Sequence, residues 1–577
     1  MHNDNKIRPT LLRRRCALGA VALGLASAPL AHAGGTFELG ESVQGKWNLQ
    51  GSVGATMRVQ NADKNLLFVG DTPGGTPRSA NADDGNQNFG AGELVSSVAK
   101  LTGDLSLTRN NYTFFARSTA WYDYTLDHDT VPHGHYGNRY RPNSRLNDSN
   151  FAREARFKGI DLLDVWVSGR YTLNQQPLEV KVGRQTVGWG RSMFTRATLA
   201  SINAYNLPAL RRPGFIMQEL VRPSNMIHLD YKFTDALQAR AFYQLEFRET
   251  IVDACGTFFS NLDNTAIGCD GTFLSSVVMP AEDVMASGRY LHRQRDEKPS
   301  HHNQYGLKFD YDWEAAGAKV GAYYVNYHHR LPIYSMVKAP VGGDRMDTEY
   351  YFMFPDNIKL FGLTGSKAFG ATQVAVNLSH IPNFPLQINT SDLTSAAMGV
   401  STPASSHTNR YQAGEKVPGY MEQEVSRAEL SFSRPVANLF GAPQVMLSAE
   451  LAAEYIPTLP DSSDIRFRRH TNFGVAPDDS EKGYVTDFTW GYRLSARTTY
   501  RDLLGPVSLS PSVVFTHGVK GYASDDALQE NQRTMAVNLE FGYKQAHVKL
   551  GYVRFSDSRY SVWRDRDHVN LSTGIQF

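Results

Sequence analysis

The side chains best able to do chemistry fall into four groups. The densest lies in 188–223. There residues 197–204 (Ala-Thr-Leu-Ala-Ser-Ile-Asn-Ala) and 207–217 (Leu-Pro-Ala-Leu-Arg-Arg-Pro-Gly-Phe-Ile-Met) are too apolar for a loop lying in water. They nevertheless carry Arg211, Arg212 and Phe215, and Arg184, Trp189 and Arg191 stand just upstream. Cations beside rings in an apolar strip can select a small solute by shape and a few charged contacts. A second group, Asn326, His328 and Arg330, sits in a tyrosine-rich run. The third is residues 127–135, where Asp127, His128, Asp129, His133 and His135 have the types that ligate metals; a long polar loop can also hold them without that role, and no metal is expected. The fourth is the pair Cys255 and Cys269 in a polar stretch. As a disulfide it would close a small loop and contribute about 3 kcal/mol on the chain-entropy model; metal ligation by two thiolates is the alternative. No GxSxG elbow, HExxH helix or phosphate-cradling glycine loop stands in a suitable context. A hydrolase centred on His328 would need a grouping in space that one sequence does not show. No catalytic residue is therefore assigned and no cofactor is expected.

What must position these residues is a set of alternating segments. Leu49, Gly51, Val53, Ala55 and Met57 interleave with Asn48, Gln50, Ser52, Thr56 and Arg58. Leu237, Ala239, Ala241 and Tyr243 do so with Gln238, Arg240, Phe242 and Gln244, and Val445, Leu447, Ala449 and Leu451 with Met446, Ser448 and Glu450. Period two over about ten residues calls for a strand with one face in an apolar medium and the other in a polar one. Because the polar face repeatedly carries charge, it is not a dry core. On this parity Arg58, Arg240, Glu246, Lys308, Asp310, Arg427, Glu429, Glu450, Glu454, Arg493, Arg497, Glu540 and Lys544 point inward. Mixed signs there predict no simple ion selectivity.

About eighteen such segments occur, and their connections alternate between long stretches (62–96, 125–160, 188–224, 248–302, 329–355, 381–421, 457–483, 516–532, 556–566) and tight turns. Short turns on one rim and long loops on the other, with an even strand count, are the pattern of an outer-membrane β-barrel. A secreted sandwich or solenoid has no reason to keep that rhythm. The expected fold class is therefore all-β, a transmembrane antiparallel barrel of 16–18 strands with a partial internal plug. Aromatics such as Tyr305, Phe309, Tyr311, Trp490, Tyr492 and Tyr500 suit interfacial girdles.

The ends agree with this reading. Lys6, Arg8, Arg13, Arg14 and Arg15 precede an apolar run, and Ala31-His32-Ala33 suits cleavage, so 1–33 is expected to be a removed export signal; a short membrane anchor is the alternative. Without those residues the charge is 54 positive against 56 negative, and no nucleic acid partner is expected. The last strand ends in Phe577, an expected signal for barrel-assembly machinery. Mean hydropathy of −0.39 then averages an apolar outer face, a polar lumen and long wet loops. The mature 34–577 is expected to be one barrel in the outer membrane of a Gram-negative bacterium, bathed in outer-membrane lipid and lipopolysaccharide.

Several stretches resemble the DUF 1302 family of large Gram-negative outer-membrane proteins. They are residues 84–96 (Asp-Gly-Asn-Gln-Asn-Phe-Gly-Ala-Gly-Glu-Leu-Val-Ser), 182–190 (Val-Gly-Arg-Gln-Thr-Val-Gly-Trp-Gly), 323–333 (Tyr-Tyr-Val-Asn-Tyr-His-His-Arg-Leu-Pro-Ile) and 354–363 (Phe-Pro-Asp-Asn-Ile-Lys-Leu-Phe-Gly-Leu). Where the family usually has Glu-Ser after Trp-Gly, this chain has Arg191-Ser192, and its Ile-Asn-Pro-x-Asp pattern appears as residues 202–206, Ile-Asn-Ala-Tyr-Asn. The resemblance implies a barrel handling hydrophobic compounds or lipids with periplasmic or inner-membrane partners, and it supplies no catalytic residues.

The functional expectation is a channel or uptake protein for small hydrophobic or amphipathic molecules, its lumen narrowed by 188–223. Packing of that segment over the outer rim is the alternative to an internal plug. Arg184, Trp189, Arg191, Arg211, Arg212 and Phe215 would gate it, with Asn326, His328 and Arg330 near the opposite wall. Arg184 shares the parity of Leu178, Val180 and Val182 unless a bulge intervenes. Competing readings are a lipid-modifying enzyme and a structural or secretion-associated barrel.

Overall fold

In a computed structural model the alternating segments pair into one antiparallel sheet. The structure describes residues 34–40, 42–76, 80–189, 199–274, 276–340, 342–474, 482–556 and 558–576. The expectations for 1–33, Arg191 and Phe577 fall outside them. The wall strands are β1 (Val43–Arg58), β2 (Leu94–Arg109), β3 (Tyr112–Asp123), β4 (Lys158–Leu173), β5 (Gln176–Gln185) and β6 (Ser224–Lys232). There follow β7 (Leu237–Gln244), β8 (Gln304–Trp313), β9 (Ala318–Tyr327), β10 (Ile358–Phe369), β11 (Thr372–Gln387) and β12 (Tyr420–Leu439). The circuit ends with β13 (Ala442–Tyr455), β14 (Phe488–Thr498), β15 (Val507–Lys520), β16 (Arg533–Tyr543), β17 (Ala546–Phe555) and β18 (His568–Gln576). Each pairs with the next, and β18 returns to β1 from Gln50↔Gln576 to Arg58↔His568, which closes an 18-strand barrel. Two short strands, Gly34–Leu39 and Tyr500–Leu504, lengthen the wall at the short-turn rim.

The tight turns have a backbone reason. Asn110, Asn174, Gln175, Gly370, Phe440, Gly441 and Lys544 all have φ between 51° and 73°, the left-handed region that two-residue hairpins need to match strand twist. Closure gives each strand one face inward and one outward, and exposure separates them. Ile160 (68%), Leu363 (57%) and Leu571 (52%) stand outward, while Arg58, Lys100, Thr119, Asp161, Arg427 and Ser572 are buried. An apolar outside and polar inside is the inverse of a soluble barrel. Tyr112, Tyr171, Trp313, Phe369, Phe440 and Tyr543 are exposed near the short turns, and Tyr124, Tyr305, Tyr455 and Phe488 near the long-loop end, which makes two aromatic girdles. Among the described residues no helix is long and apolar enough to cross a membrane.

Two expectations need correction. Lys544 lies in the turn between β16 and β17 and is exposed, and Glu246 lies beyond the end of β7, where it accepts from Asn225 N at 2.8 Å; parity carries no meaning once the strand has ended. Nor are the long loops simply wet. They bury the largest apolar cluster of the molecule, including Tyr334, Met336, Tyr350, Phe352, Leu386, Ile388 and Leu393. A three-stranded sheet of Ile333–Val337, Tyr350–Met353 and Lys416–Val417, with helix Thr390–Ala397 against it, gives this cap its frame. A second cluster surrounds the Cys255–Cys269 disulfide, Cα–Cα 6.1 Å. Arg58 ties the cap to the wall: its guanidinium donates to the carbonyls of Phe89 (2.7 Å) and Asp565 (3.0 Å).

Candidate functional site inside the barrel

The described part of 188–223 runs along the lumen face of the wall. It leaves β5, and Trp189 packs edge-to-face on Phe242 of β7 with centroids 4.9 Å apart. The Trp189 carbonyl accepts from Lys308 Nζ of β8 at 3.2 Å. Asn203 then clamps the chain, donating to the Val187 carbonyl and accepting from Val187 N, each at 2.9 Å. Asn206 caps the short helix Leu207–Arg211, accepting from Ala209 N at 3.3 Å, and Pro208 stands in its first turn, where a missing N–H costs nothing. Ala204 and Tyr205 pair with Arg222 and Val221, so the segment closes on itself as a small loop.

Its far end lies on β1–β3, two to four strands from β5, where it begins. The Arg212 guanidinium lies over Trp121 of β3 at 3.9 Å and donates to the Glu154 carbonyl at 2.5 Å. A Cβ at Gly54 of β1 would stand 2.7 Å from Pro213, so only glycine lets the segment approach this closely. Lys100 of β2 donates to the Gly214 carbonyl and to Glu219, each at 2.6 Å. Glu219 also accepts from Thr119 at 2.9 Å and Thr102 at 3.2 Å. This carboxylate and its ammonium are almost fully buried, a geometry in which loss of one partner costs about 3–5 kcal/mol. Neither Lys100 nor Glu219 is singled out by sequence. The parity of Lys100 with Thr102 and Asp104 places it inward, but nothing local points to a partner 119 residues away.

The other nominated residues divide. Arg211 pairs with Asp253 at 3.2 Å and covers Phe259 and Trp563; Phe215 is half-buried. Arg184 stands 3.7 Å from the inward-facing Asp161 despite its outward parity. The neighbouring Gly183 has φ +131°, and this local break in the strand turns the next side chain. Its Nε and Nη2 are buried without a hydrogen-bond partner.

Arg330 is not across the lumen from the segment, as expected, but holds it. Its Nη2 donates to the Ile202 carbonyl at 3.1 Å and to Gln244 Oε1 at 2.5 Å, and its Nη1 to the Arg248 carbonyl at 3.2 Å. The reason is that β9 is only two strands from β7, so residues just beyond its end reach the segment directly. Burial pushes the Arg330 guanidinium down to about 9. Asn326 donates to the Asn303 carbonyl at 2.5 Å. His328 has both nitrogens engaged: Nε2 lies 2.8 Å from the His302 carbonyl and Nδ1 accepts from Asn357 N at 3.1 Å. Both ring nitrogens of His328 are thus taken up by backbone groups. Glu154, joined by Arg222 at 2.5 Å and Arg248 at 3.2 Å, completes the girdle around the segment's base.

The 127–135 group is dispersed. His128 stacks on Tyr124 (4.6 Å). His135 is buried, accepting from Asn147 N at 2.9 Å, and burial holds it down to about 3. His133 instead lies 3.4 Å from Asp84. Among the described residues the one group placed to hold a metal is Asp83, Asp84 and Asp263, whose ligand atoms lie within 4.8 Å of one another. Burial pushes all three carboxyls up, and they bridge the cap loops that join β1–β2 and β7–β8.

Fold comparison finds OccD3 (OpdP) of Pseudomonas aeruginosa at 10% identity and TM-score 0.39, covering 96% of this chain and 96% of that one. It also finds OccAB1 of Acinetobacter baumannii at 8% and 0.40, over 92% and 96%, and OmpF of Salmonella typhi at 9% and 0.34, over 94% and 100%. No curated protein matches the sequence. The family model described as "Protein of unknown function (DUF1302)" matches residues 14–577, and the chain belongs to that family.

Proposed function

We propose that the protein is an outer-membrane channel for small amphipathic or hydrophobic molecules and that residues 199–222, together with Trp189, narrow its lumen. The observation that carries this reading is the reach of the segment from β5 across to Gly54, Lys100 and Trp121 on β1–β3. A barrel of this strand number leaves room for an aqueous lumen, and a strip fastened to two parts of its wall cuts down that cross-section. The apolar outward band with its two girdles suits outer-membrane lipid and lipopolysaccharide. The short-turn rim, where the described chain begins and ends, faces the periplasm and any periplasmic transport partner. Assembly through Phe577 belongs to the same reading.

Planar-bilayer recording tests the channel directly. Purified protein should give discrete conductance steps, and deletion of residues 196–217 should enlarge them at least twofold. A silent barrel, or steps unchanged by the deletion, overturns the proposal.

A further inference from the structure

We infer that the lumen wall formed by β3–β7 is a recognition surface for a planar ring compound carrying an anionic group; this rests on the channel reading and names its solute class. Phe115 of β3 and Trp166 of β4 stack face to face, centroids 5.2 Å apart and planes 22° from parallel. The outer faces of this stack are covered by cations. The Arg117 guanidinium lies 5.2 Å from the Phe115 centroid and Lys181 Nζ lies 4.5 Å from that of Trp166. Strand register continues the belt, since Lys181 pairs with His228 and His228 with Phe242, which carries Trp189. The inward parity of Trp166 follows from Val167, its outward neighbour at 48% exposure, and from buried Ser168.

The two cations differ. Arg117 is fixed by Asp104 at 2.7 Å and Asp164 at 3.5 Å, so it is part of the wall. Lys181 has no carboxylate within ion-pair distance among the described residues and rests on an aromatic face. A half-exposed cation–π contact is weaker than a charge-assisted hydrogen bond, so an entering anion draws the ammonium away from Trp166. That movement frees the indole face, and a planar ring attached to the anion can lie on it. An aliphatic anion gains the charge contact alone, and a neutral ring must displace the ammonium with nothing in exchange. The surface therefore favours a solute with both parts.

Titration calorimetry of the full barrel in detergent, at low salt, tests this with benzoate, hexanoate and benzyl alcohol. Benzoate should bind at least fivefold more tightly than either of the others. Trp166→Leu and Lys181→Gln should each abolish that preference, whereas Ser495→Ala on the far wall should keep it. Heat-modifiable migration on gels confirms that each variant is folded, and Lys181→Gln removes the charge without altering the packing of the wall. Equal binding of the three probes, or a preference untouched by both substitutions, overturns the inference. Conductance is read on the same protein. Binding of benzoate by a silent barrel would support this inference and sink the channel reading, while a conducting barrel blind to the three probes would do the reverse.

Discussion

The two halves of the lumen wall are built to the same parity and from different materials. Between β3 and β9 the inward side chains include Phe115, Trp166, His228, Phe242 and Tyr323, and Trp189 of the segment lies against His228 and Phe242. Between β12 and β18 they include Ser431, Ser448, Ser495, Ser512, Asn538 and Ser572, and several charges face opposite ones: Arg427 meets Glu454 at 2.6 Å and Glu450 stands in register with Arg493. Short hydroxyls and self-cancelling ion pairs make a mostly polar wall, whose buried Arg427–Glu454 pair holds Ser524 of the loop after β15. Rings and partly paired cations make one that grips. A lumen of this kind is one-sided, and function should be sensitive to one half and tolerant in the other.

The largest expected effect comes from the join between the segment and β2. Lys100→Ala leaves the Glu219 carboxylate buried with Thr102, Thr119 and the Ile216 N–H as donors and no cation beside it, at a cost of about 3–5 kcal/mol. The wall has many other pairings, so the barrel should stay folded while the segment detaches. The expected readout is higher open-channel noise and new proteolysis within 206–217. Arg493→Ala, which removes an inward charge from the far wall, should do neither; if the two variants behave alike, the asymmetry has no functional meaning.

The cap shows a second asymmetry, in pH. Above the loops joining β1–β2 and β7–β8, burial raises Asp83, Asp84 and Asp263. The folded cap holds protons that the opened one releases, so this side loses stability as pH rises above about 4. Above the loops joining β9–β10 and β13–β14, burial lowers His329 and His470 to about 4 each. There the opened state takes up protons below about 6.5, and stability is lost as pH falls from 6.5 towards 4, by up to about tenfold in the opening constant per pH unit per histidine. His135, also lowered, opposes the aspartates on their own side. Hydrogen exchange, corrected for intrinsic rates, should therefore rise between pH 7 and 5 around 329–331 and 466–474 and should not rise around 83–88. Uniform loosening of the whole cap would contradict the assignment.

Much of this was legible in the sequence because alternation is a local signal. Ser52, Thr56 and Arg58 against Val53, Ala55 and Met57 fix the inward face without any knowledge of neighbours, and the rhythm of long and short connections fixes the rims. The composition of 197–217 also marks the segment as something needing burial. What stayed hidden depends on contacts distant in sequence. Glu219 sits in a four-residue helix with no pattern of its own, and its partners come from β2 and β3. The cap's strands are as short as Lys416–Val417, two residues, too brief for any period to show, so its loops read as wet. Arg184 illustrates the limit from the other side, because parity correctly describes its backbone and a single glycine dihedral redirects its side chain.

The smallest expected effect is the most exacting test of the one-sided lumen. Ser495 on β14 pairs in register with Ser448 and Val514, and both it and Ser448 are half-buried. Ser495→Ala removes a hydroxyl that water can replace, and it should change stability by less than about 0.5 kcal/mol and single-channel conductance by less than about a tenth. On the opposite wall a deletion of similar modesty, Phe115→Leu, takes away the ring that backs Trp166 and seats Arg117, at about 0.5–1.5 kcal/mol for the lost ring pair. Its effect should appear in solute block of the current more than in the open conductance. Equal responses of solute block to these two inward-face substitutions would mean that the rings merely fill space and that the lumen has no preferred side.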